Sequence, residues 1–317
     1  LDQGNEQWCA AGCNVIVDDV TNMTETFCQD GIGAKAVDDV VANGATYFSA
    51  AGNFGNKSYE SSFSDMAPPP GLAGITGTVH DFGGGNPFQT LNLTPGNYTI
   101  VLQWVDNIYS VGAANRGTQT DLDIYLTDNL GANLFGFNRT NIGTDPIEVL
   151  PFTVTANTTA NIVIAKASGL DVHFKYIVFR GNLTFANYAG SSTLVGQANS
   201  NGAIAVGAVL YSNTPPRIPI PTIASFSSVG GTPVNGIVRN KPELTAPDGV
   251  NTTVNFGSYN IDHDAFPNFY GTSASAPHAA ASAALIIQGQ QKFLGKTISP
   301  ANIKTLFENT ALNMNPL

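Results

Sequence analysis

The stretch "FYGTSASAPHAAASAALIIQG", Phe269 to Gly289, joins a Gly-Thr-Ser turn to an alanine-rich run of helical length. Gly271 and Thr272 permit a tight approach, and Ser273 falls where a helix begins. Amides at a helix start lack intrahelical acceptors and sit at the positive end of the dipole, so developing negative charge is favoured there. Pro277 is read as tolerable in the first turn. Ala279, Ala280, Ala281, Ala283 and Ala284 make a slim helix able to pack closely in a core. A serine in this position is also common at the start of an ordinary buried helix. A nucleophilic serine needs a base, usually a histidine backed by a carboxylate, and the chain has four histidines.

Composition sets the outer bounds. The 317 residues are 43% hydrophobic and 11% charged, with 33 Gly and 18 Pro, so a buried core with many turns is expected. A net charge of −10 supplies no basic stripe to release counterions, which argues against a nucleic-acid partner. No apolar run reaches membrane-spanning length. The sequence opens on Leu1 with no basic or apolar leader, and it reads as a mature or trimmed piece of something longer. Cys9, Cys13 and Cys28 allow one disulfide with a leftover thiol, or buried structural thiols. Eight N-x-S/T sequons, at Asn22, Asn56, Asn92, Asn97, Asn138, Asn157, Asn182 and Asn251, lean towards a secreted glycoprotein.

The order of elements suggests an interrupted α/β domain. "CNVIVDDV" (Cys13–Val20) reads as a buried strand, and "QDGIGAKAVDDVVANG" as a helix with Ile32, Ala36, Val37 and Val40 on one face. "ATYFSAAGN" is a second buried strand, so the three make a βαβ unit of a parallel sheet. From "MAPPPG" onwards the pattern turns to period-2 strands without a helix: "FQTLNLT", "NYTIVLQWVD", "TDLDIYLTD", "IEVLPFTVT", "ANIVIAKA" and "HFKYIVFRG". This predicts an antiparallel β-sandwich of seven or eight strands. The boundaries drawn are 1–65 and 189–317 for the α/β parts and 66–188 for the insert. In the last part "GAIAVGAVLY" is a strand, "KPELTAPDGVNTTV" a turn-rich stretch, and "SPANIKTLFENTA" a closing helix. Ser299 is its N-cap, Pro300 its first residue, and Ile303, Leu306 and Phe307 face inward.

"GTSASAP" resembles the serine motif of subtilisin-like proteases. "YFSAAGN" (Tyr47–Asn53) resembles the strand whose last residue donates to the oxyanion hole in that family. "ANSNGAIAVGAV" and "KPELTAPDGVNT" resemble its later strand and A-P-x-G turn, so four ordered blocks agree over roughly residues 13–60 and 190–317. The resemblance implies Ser273 as the acyl-forming nucleophile, Asn53 and the Ser273 amide as oxyanion donors, and Ala50, Ala51 and Gly52 as the wall of the substrate pocket. It implies a peptide substrate and no required cofactor. "VIVDDV" departs from the family's usual Ser-x-Gly. Asp18 and Asp19 therefore mark either a preference for basic side chains or a site closed to peptide.

The family's histidine and aspartate patterns, H-G-T and D-[ST]-G, are absent. His80 is assigned to the linker entering the insert, His173 to one of its strands, and His278 to the serine helix. His263, flanked by Asp262 and Asp264, is a weak substitute base or a solvated loop residue. The resemblance puts the missing pair upstream of Leu1, on a segment or separate chain that also covers the sheet edge. The fold class is thus a subtilisin-like parallel sheet with helices, lacking its N-terminal part and interrupted by an all-β insert. The insert resembles a prepeptidase C-terminal domain. Asp121 and Asp123, with Asp106 or Asp128, are weak calcium donors there, and a solvated strand face accounts for the same pair. The leading function is a secreted serine endopeptidase completed from outside the chain. A non-catalytic extracellular glycoprotein built on the same scaffold, and a carbohydrate-binding module built on the sandwich, are the alternatives.

Overall fold

The computed structural model describes residues 4, 7, 10–72, 74–112, 116–128, 130–136, 138–188, 190–215, 217–255 and 260–314. The chain divides into two compact units. One comprises Leu1–Glu25, Gln29–Gly55 and Thr193–Leu317; the other comprises Thr26–Cys28 and Asn56–Ser192.

The first unit opens with strand β1 (Val15–Asp18), helix α1 (Ile32–Ala42) and strand β2 (Thr46–Ala50). β-Branched residues in β1 and a 3.6-residue apolar spacing in α1 account for both. Ala36, Val37 and Val40 are buried as the periodicity predicts, whereas Ile32 is 50% exposed. Its position at the first residue of α1, before the helix has turned onto the sheet, explains the difference.

Among the described residues eleven strands form the second unit: β3 (Ser58–Ser62), β4 (Asp65–Met66), β5 (Thr78–His80), β6 (Gln89–Leu93), β7 (Gly96–Trp104), β8 (Asp121–Asp128), β9 (Leu134–Gly136), β10 (Ile147–Val154), β11 (Thr158–Ser168), β12 (His173–Arg180) and β13 (Leu183–Phe185). They pair antiparallel in two sheets, β10-β7-β12-β3 and β13-β6-β11-β5-β4, with β8 paired to β11 and β9 to β8. Alternate residues of both sheets, among them Ile100, Leu102, Phe174 and Tyr176 from one and Leu91, Leu122, Ile124 and Ile162 from the other, share one buried core. The unit begins at Asn56 rather than Met66, because "SYESS" pairs with β12 and Asp65–Met66 with β5. The Pro-rich "MAPPPG" is a turn inside the unit and not its edge.

The chain then re-enters the first unit through β14 (Ala203–Leu210), a hairpin of β15 (Pro233–Val234) and β16 (Ile237–Val238), and β17 (Leu244–Asp248). The short pair β18 (Val250–Asn251) and β19 (Asn268–Phe269) leads to helices α2 (Thr272–Leu294) and α3 (Pro300–Thr310). Strands β1, β2, β14 and β17 make one parallel sheet in that order. The segment read as turn-rich therefore supplies the fourth strand; Pro247 is tolerated because β17 lies at the sheet edge.

Helix α2 packs on one face of this sheet. Ala276, Ala279, Ala280 and Ala283 meet Phe48, Ile204, Val206 and Ile303 there, while Ala281 and Ala284 are exposed. Because the helix begins at Thr272, Pro277 lies in its second turn, where it removes the amide that would reach the Ser273 carbonyl. Ser299 caps α3 by accepting from the Asn302 amide at 3.3 Å, with Pro300 following as read. Cys13 and Cys28 are free thiols, and Cys9 lies outside the described residues.

One buried carboxylate ties three of these elements together. Glu243 accepts from the Ala205 amide at 2.8 Å and from Lys241 Nζ and Lys304 Nζ, each at 2.7 Å. Lys241 is buried with it and also reaches the Ala203 carbonyl, and burial pushes its ammonium down to about 8. Glu243→Ala strands that ammonium in the interior. Equilibrium urea unfolding is expected to show a loss of about 3–5 kcal/mol.

Candidate active site

The end of β2 and the start of α2 are joined by a three-bond lock. Asn53 Oδ1 accepts from the Thr272 amide at 3.0 Å and from Thr272 Oγ1 at 3.1 Å; that same hydroxyl accepts from the Gly52 amide at 3.1 Å. A backbone N–H only donates, so this end of the Asn53 amide must be oxygen and Nδ2 is turned outward. Gly271 is required beside it: its φ is +101°, and an added Cβ would stand 3.0 Å from Asn53 Nδ2. The Gly271 amide is held in turn by Asp248 Oδ2 at 3.2 Å, from the end of β17.

The amides of the first turn are then accounted for. Thr272 gives its amide to Asn53, and Ala274 and Ser275 reach back to the Gly271 carbonyl at 3.0 and 3.4 Å. The Ser273 amide has no acceptor among the described residues. It and Asn53 Nδ2 are two donors on neighbouring residues of the lock, the arrangement an oxyanion requires. The Ser273 side chain is half-buried at the first turn of α2.

The paired carboxylates of "VIVDDV" have separate fates. Asp18 is buried, accepting from Tyr47 Oη at 2.6 Å, Ser49 Oγ at 3.3 Å and the Val20 amide at 3.3 Å. It is a structural acceptor rather than a substrate contact, and burial raises its carboxyl above the ordinary value. Asp19, one residue beyond β1, is exposed, and its carboxyl is raised above the ordinary value by partial burial. Of the residues read as pocket wall, Ala51 is committed to the core with Leu194, Ala198 and Ala205. Ala50 and Gly52 are half-buried beside the lock.

None of the histidines is placed as a base for Ser273. His278 lies five residues along α2, about 140° round the helix, and its Nδ1 meets the Ala274 carbonyl at 2.7 Å. His263 sits on an exposed loop at φ 57°. His80 and His173 belong to the β unit. His80 is a buried strand residue of β5 rather than a linker residue, and burial lowers its imidazole to about 4.

Asp121 and Asp123 are buried, not solvated. Asp121 accepts from the Asn141 amide at 3.0 Å and Asp123 from Tyr125 Oη at 3.3 Å. Burial raises Asp123 to about 6 and the neighbouring Glu148 to about 7. Asp106 accepts from Thr118, Gln119 and Thr120 ahead of β8, and Asp128 from the Leu130 and Ala132 amides of its own turn. Among the described residues no three His, Cys, Asp or Glu side chains are arranged to hold a metal ion, and no helix is long and apolar enough to cross a membrane.

Sequence reasoning missed Thr272 and Asp248. Thr272 stood inside the motif that was read, but its hydroxyl has meaning only when Asn53 is opposite it. Asp248 carried no signal beyond a small carboxylate in a turn.

A sequence model of the subtilase family matches residues 10–316. The chain belongs to the subtilase family. In fold, this subtilase is similar to the CspB protease of Clostridium perfringens, with a TM-score of 0.55 at 15% identity. That match takes in 98% of this chain but 64% of the other, so the subtilase described here spans less than two thirds of that protease. A beta-glucosidase from Kluyveromyces marxianus gives a TM-score of only 0.21 at 12% identity, over 62% of this chain and 28% of its own. No curated protein matches in sequence.

Asp248 gives a pH test of the support beneath Gly271. It is 1% exposed, its Oδ1 lacks a hydrogen-bond partner, and burial raises its carboxyl. The fold thus prefers the protonated form, and stability from this group declines as pH rises through the raised value. Asp248→Asn keeps an oxygen for the Gly271 amide and removes the buried charge. Calorimetry is expected to show Tm higher by about 2–4 °C at pH 7, with the gain shrinking in acid.

Proposed function

We propose that this subtilase is a serine endopeptidase forming an acyl-enzyme on Ser273. The lock between Asn53 and Thr272 carries the reading, because it fixes two outward donors beside a hydroxyl. Ser273 Oγ attacks the peptide carbonyl carbon, and its proton passes to a base. The oxygen that becomes anionic receives hydrogen bonds from the Ser273 amide and Asn53 Nδ2. Collapse expels the amine, and water then releases the acyl group. The chemistry uses no metal.

In this reading the aspartate and histidine come from outside the sequence, on a further segment or another chain. Two observations support that. Among the described residues strand β1 pairs only with β2, so its other edge is an unpaired strand edge there. Helix α2 presents Pro277, His278, Ala281, Ala284 and Leu285 along one exposed stripe, with Leu285 69% exposed. A covering partner satisfies both.

The finer proposals concern setting. All eight sequon asparagines are exposed, which supports a secreted, glycosylated protein. The two-sheet unit is proposed to be an inserted domain of the prepeptidase C-terminal kind that serves substrate binding or assembly. A purely structural scaffold has no such observation in its favour, since a scaffold does not need donors aimed beside a serine hydroxyl.

A fluorophosphonate probe applied to the full-length gene product tests the reading. Labelling should fall on Ser273 and vanish in Ser273→Ala. Asn53→Ala should lower kcat by about 10²–10³ with little change in KM. A full-length product that takes no label at Ser273 would remove the assignment.

A further inference from the structure

Asn53 is exposed, so packing does not hold it, and its lock to Thr272 grips only the far end of the side chain. The near end is fixed by a serine from another part of the first unit. Ser228 is fully buried. Its amide donates to the Gly52 carbonyl at 2.9 Å, and its hydroxyl oxygen accepts from the Phe54 amide at 3.2 Å. One residue thus binds the chain on both sides of Asn53. The approach is close enough to restrict the sequence: Gly52 has φ +97°, and an added Cβ would stand 3.0 Å from Ser228 Oγ and 2.8 Å from the Phe54 ring.

A peptide group is planar, so holding its carbonyl or its amide orients the whole plane. The Gly52 carbonyl belongs to the plane that enters Asn53, and the Phe54 amide to the plane that leaves it. With both planes held, φ and ψ of Asn53 are set, and with them the direction of its Cα–Cβ bond. Thr272 then fixes where the carboxamide ends. We propose that Ser228 is a positioning residue for the oxyanion donor: it sets the backbone of Asn53 so that Nδ2 meets the developing charge. The proposal rests on Ser273 being the nucleophile and Asn53 a donor, and it names a residue outside both of their sequence motifs. Ser228 is buried, so it acts through Asn53 and not on substrate.

Ser228 can do this because its own segment is stitched to the sheet. The Ala224 amide donates to the Ala208 carbonyl of β14 at 2.8 Å, and the Ala208 amide donates to Ser227 Oγ at 3.2 Å. The Val229 carbonyl accepts from the Thr193 and Leu194 amides at 2.9 and 3.0 Å. Beyond Asn53, the Gly55 amide reaches the Phe226 carbonyl at 2.8 Å. Ser227 and Ser228 are equally buried, yet their hydroxyls have separate duties. One serves β14, and the other serves the peptide that follows Asn53.

The test measures fluorophosphonate labelling of Ser273 in the full-length gene product. Ser273 Oγ attacks the phosphorus, fluoride leaves, and negative charge gathers on the phosphoryl oxygen. The rate at saturating probe therefore reads the oxyanion donors, while the half-saturating concentration reads probe binding. Ser228→Ala should lower the saturating rate about three- to tenfold, the value of one neutral hydrogen bond, with the half-saturating concentration unchanged. In an Asn53→Ala background the same substitution should cause no further loss, because the group it positions is gone. Ser227→Ala should lower Tm as Ser228→Ala does, yet keep the wild-type rate. An unchanged rate in Ser228→Ala, a loss that multiplies with that of Asn53→Ala, or an equal loss in Ser227→Ala would each overturn the positioning role while leaving Ser273 as nucleophile. A wild-type product that takes no label at Ser273 would overturn the nucleophile and the proposal with it.

Discussion

The hydrogen bond from the Thr272 amide to Asn53 Oδ1 is the constraint on which the candidate site depends. It takes up one amide of the first turn of α2, orients the carboxamide, and ties a helix to a strand over 200 residues earlier in sequence. Every other feature of the corner follows from keeping it. The Thr272 hydroxyl needs the Gly52 amide to complete its own bonding. Gly271 must lack a side chain because the outward amide nitrogen passes next to it. Asp248 is drawn under Gly271 to receive the amide that its left-handed turn exposes. The cost is a buried carboxyl with one oxygen unsatisfied, a local weakness accepted at the place where geometry matters most.

The same corner shows how a pleated strand sorts neighbouring residues. Asp18 and Asp19 are chemically identical and adjacent, yet one accepts from three donors in the interior and the other is exposed. Both are raised by burial, but the donors around Asp18 serve to hold the strand against β2. Asp19 has no such duty. A one-residue shift in the register of β1 against β2 would exchange the two positions, so the parallel pairing of Val15 with Thr46 through Asp18 with Ser49 also sets which carboxylate is buried against Tyr47.

The elements were legible wherever the pattern was local. "NVIVDD", "ATYFSAAGN" and "GAIAVGAVLY" announce parallel strands through runs of buried β-branched and small residues, and Ser299-Pro300 announces a helix start. The family motif made Ser273 and Asn53 readable together. What stayed hidden depended on distant partners. Strand β17 was masked by Pro247 and Asp248, whose tolerance comes from an edge position that the sequence does not display. The boundary at Asn56 was masked because "SYESS" lacks an apolar alternation; β12 gives it a place through main-chain pairing and through the buried ion pair of Glu60 with Lys175. Asp121 and Asp123 look like a solvated face in sequence, yet both are buried, with the Asn141 amide, 20 residues further along the chain, donating to Asp121.

Helix α2 brings the two halves of this reasoning together. Its alanines let it approach the sheet closely enough for Ser273 to stand level with the end of β1 and the Asn53 lock. Small side chains on all sides of a helix, however, leave the outer face with little of its own to shed water. Pro277 sharpens the point, since it removes an amide from the second turn while the Ser273 carbonyl that would have accepted from it remains. The inner face is thus used by the sheet, and the outer face holds an exposed histidine, His278, and an exposed leucine, Leu285, about two turns apart. The helix thus has one face packed on the sheet and one left to solvent, and among the described residues the strand beside it, β1, pairs along one edge.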